Sequence, residues 1–392
     1  MRILLCHNFY QQAGGEDSCF AEEAALLKKH GHEVFKYERN NDHITGLKSV
    51  VTAGQTIWNF RTYREVTALI KQQQIELVHC TNTFPVISPS IYYACNRQRV
   101  PVVQSLHNYR LLCANSYFLR DGTVCEACLN RRVALPAVRY ACYRDSRLAS
   151  AAVVAMQAVH HLIGSWSKHV DQFIALTDFA RSKFVEGGLP AERITVKPNF
   201  VDPTPQLGCG SGDYALFVGR LSSEKGIEVL LKAWESPICS LPLRIVGDGP
   251  LKQRVLSAAA DNPRIEYQGF KPSAEVFAAM QAARFLIVPS LWYEGLPRTI
   301  VESLAVGTPV VASDLGPLAD LVRSDAGGAR FELGNATALT TVAGKLCNEP
   351  NLAAAMRAPA RAEFLAKYSA DTNYAKLMEV YANATENAAA RK

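Results

Sequence analysis

The sequence predicts an α/β protein built from two doubly wound domains in tandem. Three observations carry that reading. Strand-like and helix-like segments alternate in two series, a Pro- and Gly-rich stretch separates the series, and 392 residues exceed what one hydrophobic core normally holds. Hydrophobic residues at 48% and charged residues at 20% fit a folded globular chain and exclude a disordered one.

The first series opens with a short apolar run, "RILLCHN". It continues through the glycine-containing "QQAGGED", a helical pattern over "AEEAALLKKHGH" closed at Gly31, and a second strand, "EVFKYE". Strand, glycine loop, helix and strand in that order begin a parallel α/β domain. Further strands are predicted over 76–80, 100–107 and 172–177, and their near-continuous apolar character suits strands buried on both faces. Segment 193–212, "RITVKPNFVDPTPQLGCGSG", reads as a linker. In the second series the strands are "DYALFVGRLS", "LPLRIVGDG", "RIEYQGF", "RFLIVPS" and "PVVAS". Helices are expected over "GIEVLLKAWE", "LKQRVLSAAA", "SAEVFAAMQAA" and "PRTIVESLAVG". The expected domains are 1–205 and 206–370, with a C-terminal helix over 371–392 returning to the first. A ligand is expected in a cleft between the carboxyl ends of the two sheets.

The net charge of +6 is unevenly placed. Residues 1–205 hold 23 basic and 17 acidic side chains, and 206–392 hold 19 of each. From Arg97 to Arg147 there are nine Arg against three acids, Asp121, Glu126 and Asp145, which equals the surplus of the whole chain. No aromatic-interleaved or recognition-helix signature accompanies this run, so nucleic acid is not the expected partner. An anionic membrane surface or the phosphates of a lipid-linked acceptor suit it better. No run reaches the ~18 apolar residues of a membrane span. The nearest, "LASAAVVAMQAVHHLIGSW", is broken by Gln157, His160 and His161 and is expected as a helix within a domain. The N-terminal apolar run is too short for a signal peptide, and an odd number of scattered cysteines fits a reducing cytosol.

Two segments carry the chemistry. In "YEGLPRTIVESLAVGTPVVAS" (293–313), Glu294 and Glu302 flank a predicted helix start at Pro297, where backbone N–H groups around Arg298 and Thr299 would face an anion. On spacing alone, two solvated glutamates on a surface helix would explain the pattern. The upstream "LFVGRLSSEKGIEVLLKAW" changes the balance. Gly219 permits close backbone approach, and Arg220 and Lys225 supply a fork and a point charge suited to a diphosphate.

Taken together, "VGRLSSEKG", "VGDGPL" and the spaced glutamates resemble the retaining glycosyltransferases with two Rossmann-like domains, the GT-B type commonly called family 4. "RITVKPNFVD" is similar to that family's interdomain segment and "HNFYQQAGGED" to its N-terminal glycine loop. The resemblance implies a hexosyltransferase using a UDP- or GDP-type sugar and a lipid-linked or glycan acceptor in cell-surface polysaccharide synthesis. Arg220 and Lys225 would hold the donor diphosphate, Glu302 the ribose and Glu294 the transferred sugar, beside Gly219, Gly247, Gly295, Leu296, Pro297 and Thr299. Gly14 and Gly15 would approach from the first domain, His107 would face the donor sugar and Asn199 would brace the cleft. Asp248 suits a turn former as well as a ligand. A soluble transferase making a small glycoside or sugar phosphate, or a sugar-nucleotide-binding regulatory protein without turnover, would carry the same motifs. No DxD triplet occurs, so no cofactor is expected for catalysis and donor binding is expected to be metal-independent. The expected location is cytoplasmic, peripheral at the inner face of the cytoplasmic membrane.

One insert departs from the general pattern. Segment 107–147 holds Cys113, Cys125, Cys128 and Cys142, a spacing close to that of a structural zinc ribbon. Such an insert resembles one found in a subset of these transferases. Structural zinc is the expectation, and four free thiols are the alternative.

Overall fold

A computed structural model of the chain describes residues 1–10, 14–41 and 48–391, and side chains within that range except 48–51. The chain divides into two compact units. One comprises 1–118, 126–198 and 373–392, and the other 119–125 and 199–372.

The first unit is built on β1 (Arg2–Phe9), β2 (Glu33–Asn40), β3 (Leu77–Asn82) and β4 (Val102–Leu106). The short antiparallel hairpin next in sequence, β5 (Leu119–Arg120) and β6 (Thr123–Val124), belongs to the other unit, and β7 (Gln172–Ala175) and β8 (Ile194–Val196) complete the first. The six-stranded parallel sheet has the order β2-β1-β3-β4-β7-β8, with Arg2 opposite Glu33 and Ile3 opposite Leu77. Every residue of β3, β4 and β7 is buried, which is why these strands read as continuous apolar runs. Alternate residues Ile3 and Leu5 of β1 face a core shared with Phe20, Leu27, Val103 and Ile174. Leu377, Val380, Tyr381 and Ala384 of the last helix, Ala370–Ala390, close the same core.

The helix Arg147–Ile163 is capped by Ser146, whose Oγ accepts from Ala149 N, and ends at left-handed Gly164. It buries Val153, Val154, Met156 and His160, while Leu148 and Leu162 remain 86% and 80% exposed. Among the described residues no helix is long and apolar enough to cross a membrane.

The second unit carries β9 (Ala215–Val218), β10 (Leu243–Val246), β11 (Ile265–Gly269), β12 (Phe285–Val288), β13 (Val310–Ser313) and β14 (Gly328–Phe331). Its parallel sheet has the order β11-β10-β9-β12-β13-β14, the doubly wound arrangement whose direction of winding reverses between β9 and β12. The edge strand β14, "GARF", was not expected from the sequence, because two of its four residues are Gly and Arg. Cys239 and Cys347, 108 residues apart and both in this unit's core, are joined as a disulfide. The cysteine pattern is therefore not uniformly that of reduced thiols.

Candidate active site

The end of β9 and the end of β12 meet where the second sheet reverses, and the sequence motifs converge there. After β9 the chain forms one short turn, Ser223–Lys225, and Gly226 then starts the helix Ile227–Ala233. Gly226 has φ +72°, and a Cβ on it would lie 1.8 Å from the carbonyl oxygen of Pro289, just past β12. Only glycine permits that approach. It brings Lys225 Nζ to 2.5 Å from Glu294 Oε1, which also accepts from Ser290 Oγ at 2.7 Å. Glu294 is 4% exposed. The Lys225 ammonium also lies 5.4 Å from the centre of the Trp292 ring.

The glycine loops behind this pair are tied together. Gly219 N donates to Val246 O at 3.0 Å, Leu221 N to Asp248 O at 2.9 Å and Leu251 N to Leu221 O at 2.8 Å. A Cβ on Gly247 would fall 1.9 Å from Gly219 O. Asp248 accepts from Gly249 N and from Lys252 Nζ, and these bonds hold its carboxyl below the usual range. Its role in the structure is therefore to close its own turn. Arg220 is exposed, and its side chain makes no hydrogen bond or ion pair with any described residue.

Pro297 is the N-cap of the helix Arg298–Ala305, with non-helical φ and ψ of −61° and 115°, so the helix begins one residue later than the sequence suggested. The first turn's N–H groups point out of the helix end beside Thr299. Within the helix Arg298 Nε lies 3.4 Å from Glu302 Oε1, an i,i+4 ion pair. Leu296 is buried, Gly295 and Thr299 are half-buried, and Asn199 is buried at the start of the second unit.

His107, Gly14 and Gly15 belong to the first unit. Gly14 and Gly15 are exposed at the start of the helix Gly15–Lys29, and Gln11, Gln12 and Ala13 of the predicted glycine loop lie outside the described residues. His107 follows β4 and lines a small cavity of about 40 Å3, open to solvent, with Glu16, Asn82, Gln104, Asn108 and Arg110. Burial, with the nearby charge of Lys197 and the rings of His79 and His7, pushes the His107 imidazole down to about 3. The ring is thus neutral at physiological pH, and its Nε2 is buried with no hydrogen-bond partner.

The cavity contains a polar cluster that the motif reading missed. Asn108 Nδ2 donates to Tyr10 Oη at 3.2 Å and to Glu16 Oε2 at 3.4 Å. Burial raises the Glu16 carboxyl to about 8, against the pull of the Tyr10 and Asn108 hydrogen bonds and of Arg110. Next to it, His7 Nδ1 lies 2.7 Å from Thr81 Oγ1 and Nε2 lies 2.8 Å from Asp17 Oδ1, which anchors the helix start to β3. The only sequence signal for this cluster was the acidic pair directly after Gly14 and Gly15.

The zinc expectation gains no support from the arrangement of the side chains. Among the described residues no group of three or more His, Cys, Asp or Glu is arranged to hold a metal ion. Cys113 Sγ donates to Asn115 Oδ1 at 2.9 Å, and Cys128 Sγ faces Ala134 O at 4.0 Å. Burial raises the Cys113 thiol above its ordinary range. Cys125 and Cys142 are half-buried. The CxxC spacing alone therefore does not assemble a site.

Two parallel sheets of six strands, with a basic and acidic pair at the switch point of the second, define a GT-B glycosyltransferase. The glycosyltransferase family 4 model matches residues 13–204 and the glycosyl transferases group 1 model matches 212–349, and the chain belongs to this family. It is 27% identical over 215 residues to the amylovoran biosynthesis glycosyltransferase AmsK of Erwinia amylovora, covering 50% of this chain and 53% of that one. It is 31% identical over 225 residues to the phosphatidyl-myo-inositol mannosyltransferase of Mycobacterium leprae, covering 55% and 60%. The chain thus spans about half the length of the curated relatives it matches. Among solved structures it is similar in fold to Anabaena HepE in complex with UDP and glucose. The TM-score is 0.68 at 18% identity, over 97% of this chain and 99% of that one.

Proposed function

We propose that this protein is a retaining hexosyltransferase that moves a sugar from a UDP- or GDP-type donor to a lipid-linked or glycan acceptor in cell-surface polysaccharide synthesis. The observation that carries the reading is the Lys225–Glu294 pair at the β9/β12 switch point, where open α/β sheets bind nucleotides. A structural neighbour holds UDP and glucose, and AmsK acts in amylovoran biosynthesis.

In this mechanism Lys225 and the unpaired Arg220 take the donor diphosphate, and the first turn of Arg298–Ala305 adds backbone N–H groups to the phosphate side. Gly219, Gly247, Gly295 and Leu296 keep the backbone close to the donor, with Thr299 adding a hydroxyl. Glu302 accepts from the ribose hydroxyls, and Glu294 from hydroxyls of the transferred sugar. As the glycosidic bond to the leaving phosphate lengthens, negative charge grows on the diphosphate and Lys225 and Arg220 stabilise it. The acceptor attacks from the same face, and the departing phosphate takes its proton, so no carboxylate acts as a covalent nucleophile. His107, held neutral, is a hydrogen-bonding partner for the donor sugar. Gly14 and Gly15 face the diphosphate or the acceptor, and Asn199 braces the site.

The donor needs no metal in this reading, and the protein works at the inner face of the cytoplasmic membrane, held there by its Arg-rich insert. A panel of UDP- and GDP-sugars tested by thermal shift, followed by product detection with membrane extract in the presence of EDTA, checks these points. Transfer that survives EDTA and yields a product of unchanged anomeric configuration is the expected result. Binding without transfer or hydrolysis overturns the catalytic reading.

A further inference from the structure

The first unit contains a second cavity that the transfer chemistry does not use. It has about 230 Å3 and is lined by Arg131, Arg132, Gln157, His161, Leu129 and Ala134, among others. Its character is split between charge and hydrocarbon. Arg131 Nε is held by Ala127 O at 2.8 Å, and Arg132 is exposed and makes no hydrogen bond or ion pair with any described residue. The acidic side chain at the rim, Glu186, is already matched, lying 3.1 Å from Lys183 Nζ and 3.4 Å from Asn130 Nδ2. The two guanidinium groups are therefore uncompensated.

Gln157 makes the cavity more than a basic patch. It is 7% exposed, and its Nε2 donates to the carbonyl of Arg110 at 2.6 Å. A carbonyl can only accept, so the amide orientation is determined and Oε1 is the free end. That oxygen is buried with no partner. It needs a hydroxyl or amine donor, which a bare phosphate diester does not have. Beyond the arginines the chain turns apolar, with Val133 and Leu135 47% and 65% exposed.

We infer that this cavity binds the headgroup of an anionic bilayer lipid that carries a hydroxyl beyond its phosphate. The phosphate sits against Arg131 and Arg132, the hydroxyl donates to Gln157 Oε1, and the hydrocarbon leaves past Ala134 toward Val133 and Leu135. The inference rests on the membrane association proposed above and gives it a specific headgroup site.

The experiment compares sedimentation with vesicles of phosphatidylcholine containing equal mole fractions of either phosphatidylglycerol or phosphatidylethanol. Both lipids carry one negative charge, and only the first has headgroup hydroxyls. The wild-type protein is expected to bind the phosphatidylglycerol vesicles about fivefold more tightly, the value of one net hydrogen bond. Arg132→Gln is expected to weaken binding and to abolish the preference. Arg139→Gln, outside the cavity, is expected to weaken both lipids equally. Gln157→Leu is expected to abolish the preference alone, with its thermal melting curve verifying that it folds. Equal binding of the two vesicles overturns the headgroup site and leaves membrane association standing, whereas no binding to either removes both. Full competition by soluble glycerol 1-phosphate at the concentration that saturates for dihexanoyl phosphatidylglycerol overturns the hydrocarbon part.

Discussion

Lys225 Nζ and Glu294 Oε1 lie 2.5 Å apart, and this one ion pair joins the loop after β9 to the loop after β12. Glu294 is almost fully buried while Lys225 keeps a quarter of its side-chain exposure, so the two ends of the pair are not equivalent. Removing the lysine takes a cation away from a buried carboxylate that also accepts from Ser290 Oγ. Lys225→Ala is therefore expected to destabilise the fold by roughly 2–3 kcal/mol, short of the loss seen for a fully buried pair. It is also expected to lower kcat by about 100- to 1000-fold, as the loss of a group that stabilises transition-state charge does. Glu294→Gln keeps a hydrogen-bonding carbonyl and is expected to retain most of the stability while losing activity. Denaturant melts alongside single-turnover assays with a sugar nucleotide check both. Equal stability losses for the two variants contradict the asymmetry.

The close approach at Gly226 makes a sharper steric prediction. Gly226 and Gly269 have nearly the same positive φ, +72° and +71°, but an added Cβ meets Pro289 O at 1.8 Å in the first and nothing within 4 Å in the second. Gly269→Ala is expected to cost about 1 kcal/mol from the left-handed backbone alone. Gly226→Ala adds the displacement of the β12 end, for a total of roughly 3 kcal/mol or more, and moves Lys225 away from Glu294. Thermal melting of both variants, with donor binding followed for Gly226→Ala, measures the difference. Matching losses at the two positions refute the contact.

The parts of the molecule that were legible are those whose information is local. The alternation of apolar strand and amphipathic helix exposed both sheets, and the residues of the Lys225 and Glu294 motifs sit on short loops whose glycines are visible in the sequence. What the sequence hid depends on contacts distant along the chain. β14 has too few apolar residues to announce itself and is a strand because it pairs with β13. Cys239 and Cys347 meet because two segments of one core do, and no spacing rule links them. The cysteines of the insert had the right intervals for zinc, but intervals do not specify where side chains point. The raised carboxyl of Glu16 arises from burial beneath Tyr10 and Asn108, and a position at a helix N-terminus, where charge is usually favoured, gave the opposite hint.

The C-terminal helix is secured to the first sheet by a polar contact as well as by packing. Tyr381 Oη lies 2.9 Å from His79 Nδ1, and the other ring nitrogen of His79 lies 2.8 Å from Ser105 Oγ, all of it buried. Tyr381→Phe keeps the volume and removes the hydroxyl from a buried ring nitrogen that otherwise has Glu23 Oε1 at 3.4 Å. The expected loss is about 1–3 kcal/mol. Tyr374→Phe removes a hydroxyl 2.8 Å from the part-buried His32 Nε2 and is expected to lose less. Hydrogen exchange across the last helix, together with denaturant melts, decides the order. A larger loss for Tyr374→Phe contradicts the placement of the stabilising contact.

Glu16 and His107 line the same cavity, and their protonation gives the first unit a stability profile with two separable edges. The Glu16 carboxyl is raised to about 8 from an ordinary value of 4.5, so the folded state holds a proton that the unfolded state releases between those limits. Its contribution is complete below pH 4.5 and is lost as pH rises through 8. His107 behaves in the opposite sense. Its imidazole is lowered to about 3 from 6.5, so the unfolded chain binds a proton that the folded one refuses, and stability falls as pH drops from 6.5 toward 3. Between pH 4.5 and 6.5 the two slopes oppose each other, each limited to about 1.4 kcal/mol per pH unit. Measured as the difference from wild type, Glu16→Gln is expected to remove a decline above pH 6.5 and His107→Asn a decline below pH 4.5. Neither variant is expected to affect the other's edge. Denaturant melts from about pH 3 to about pH 9 provide the test. If the Glu16→Gln difference is flat across the alkaline range, the carboxylate is already ionised in the folded protein and the buried cluster with Tyr10 and Asn108 does not hold its proton.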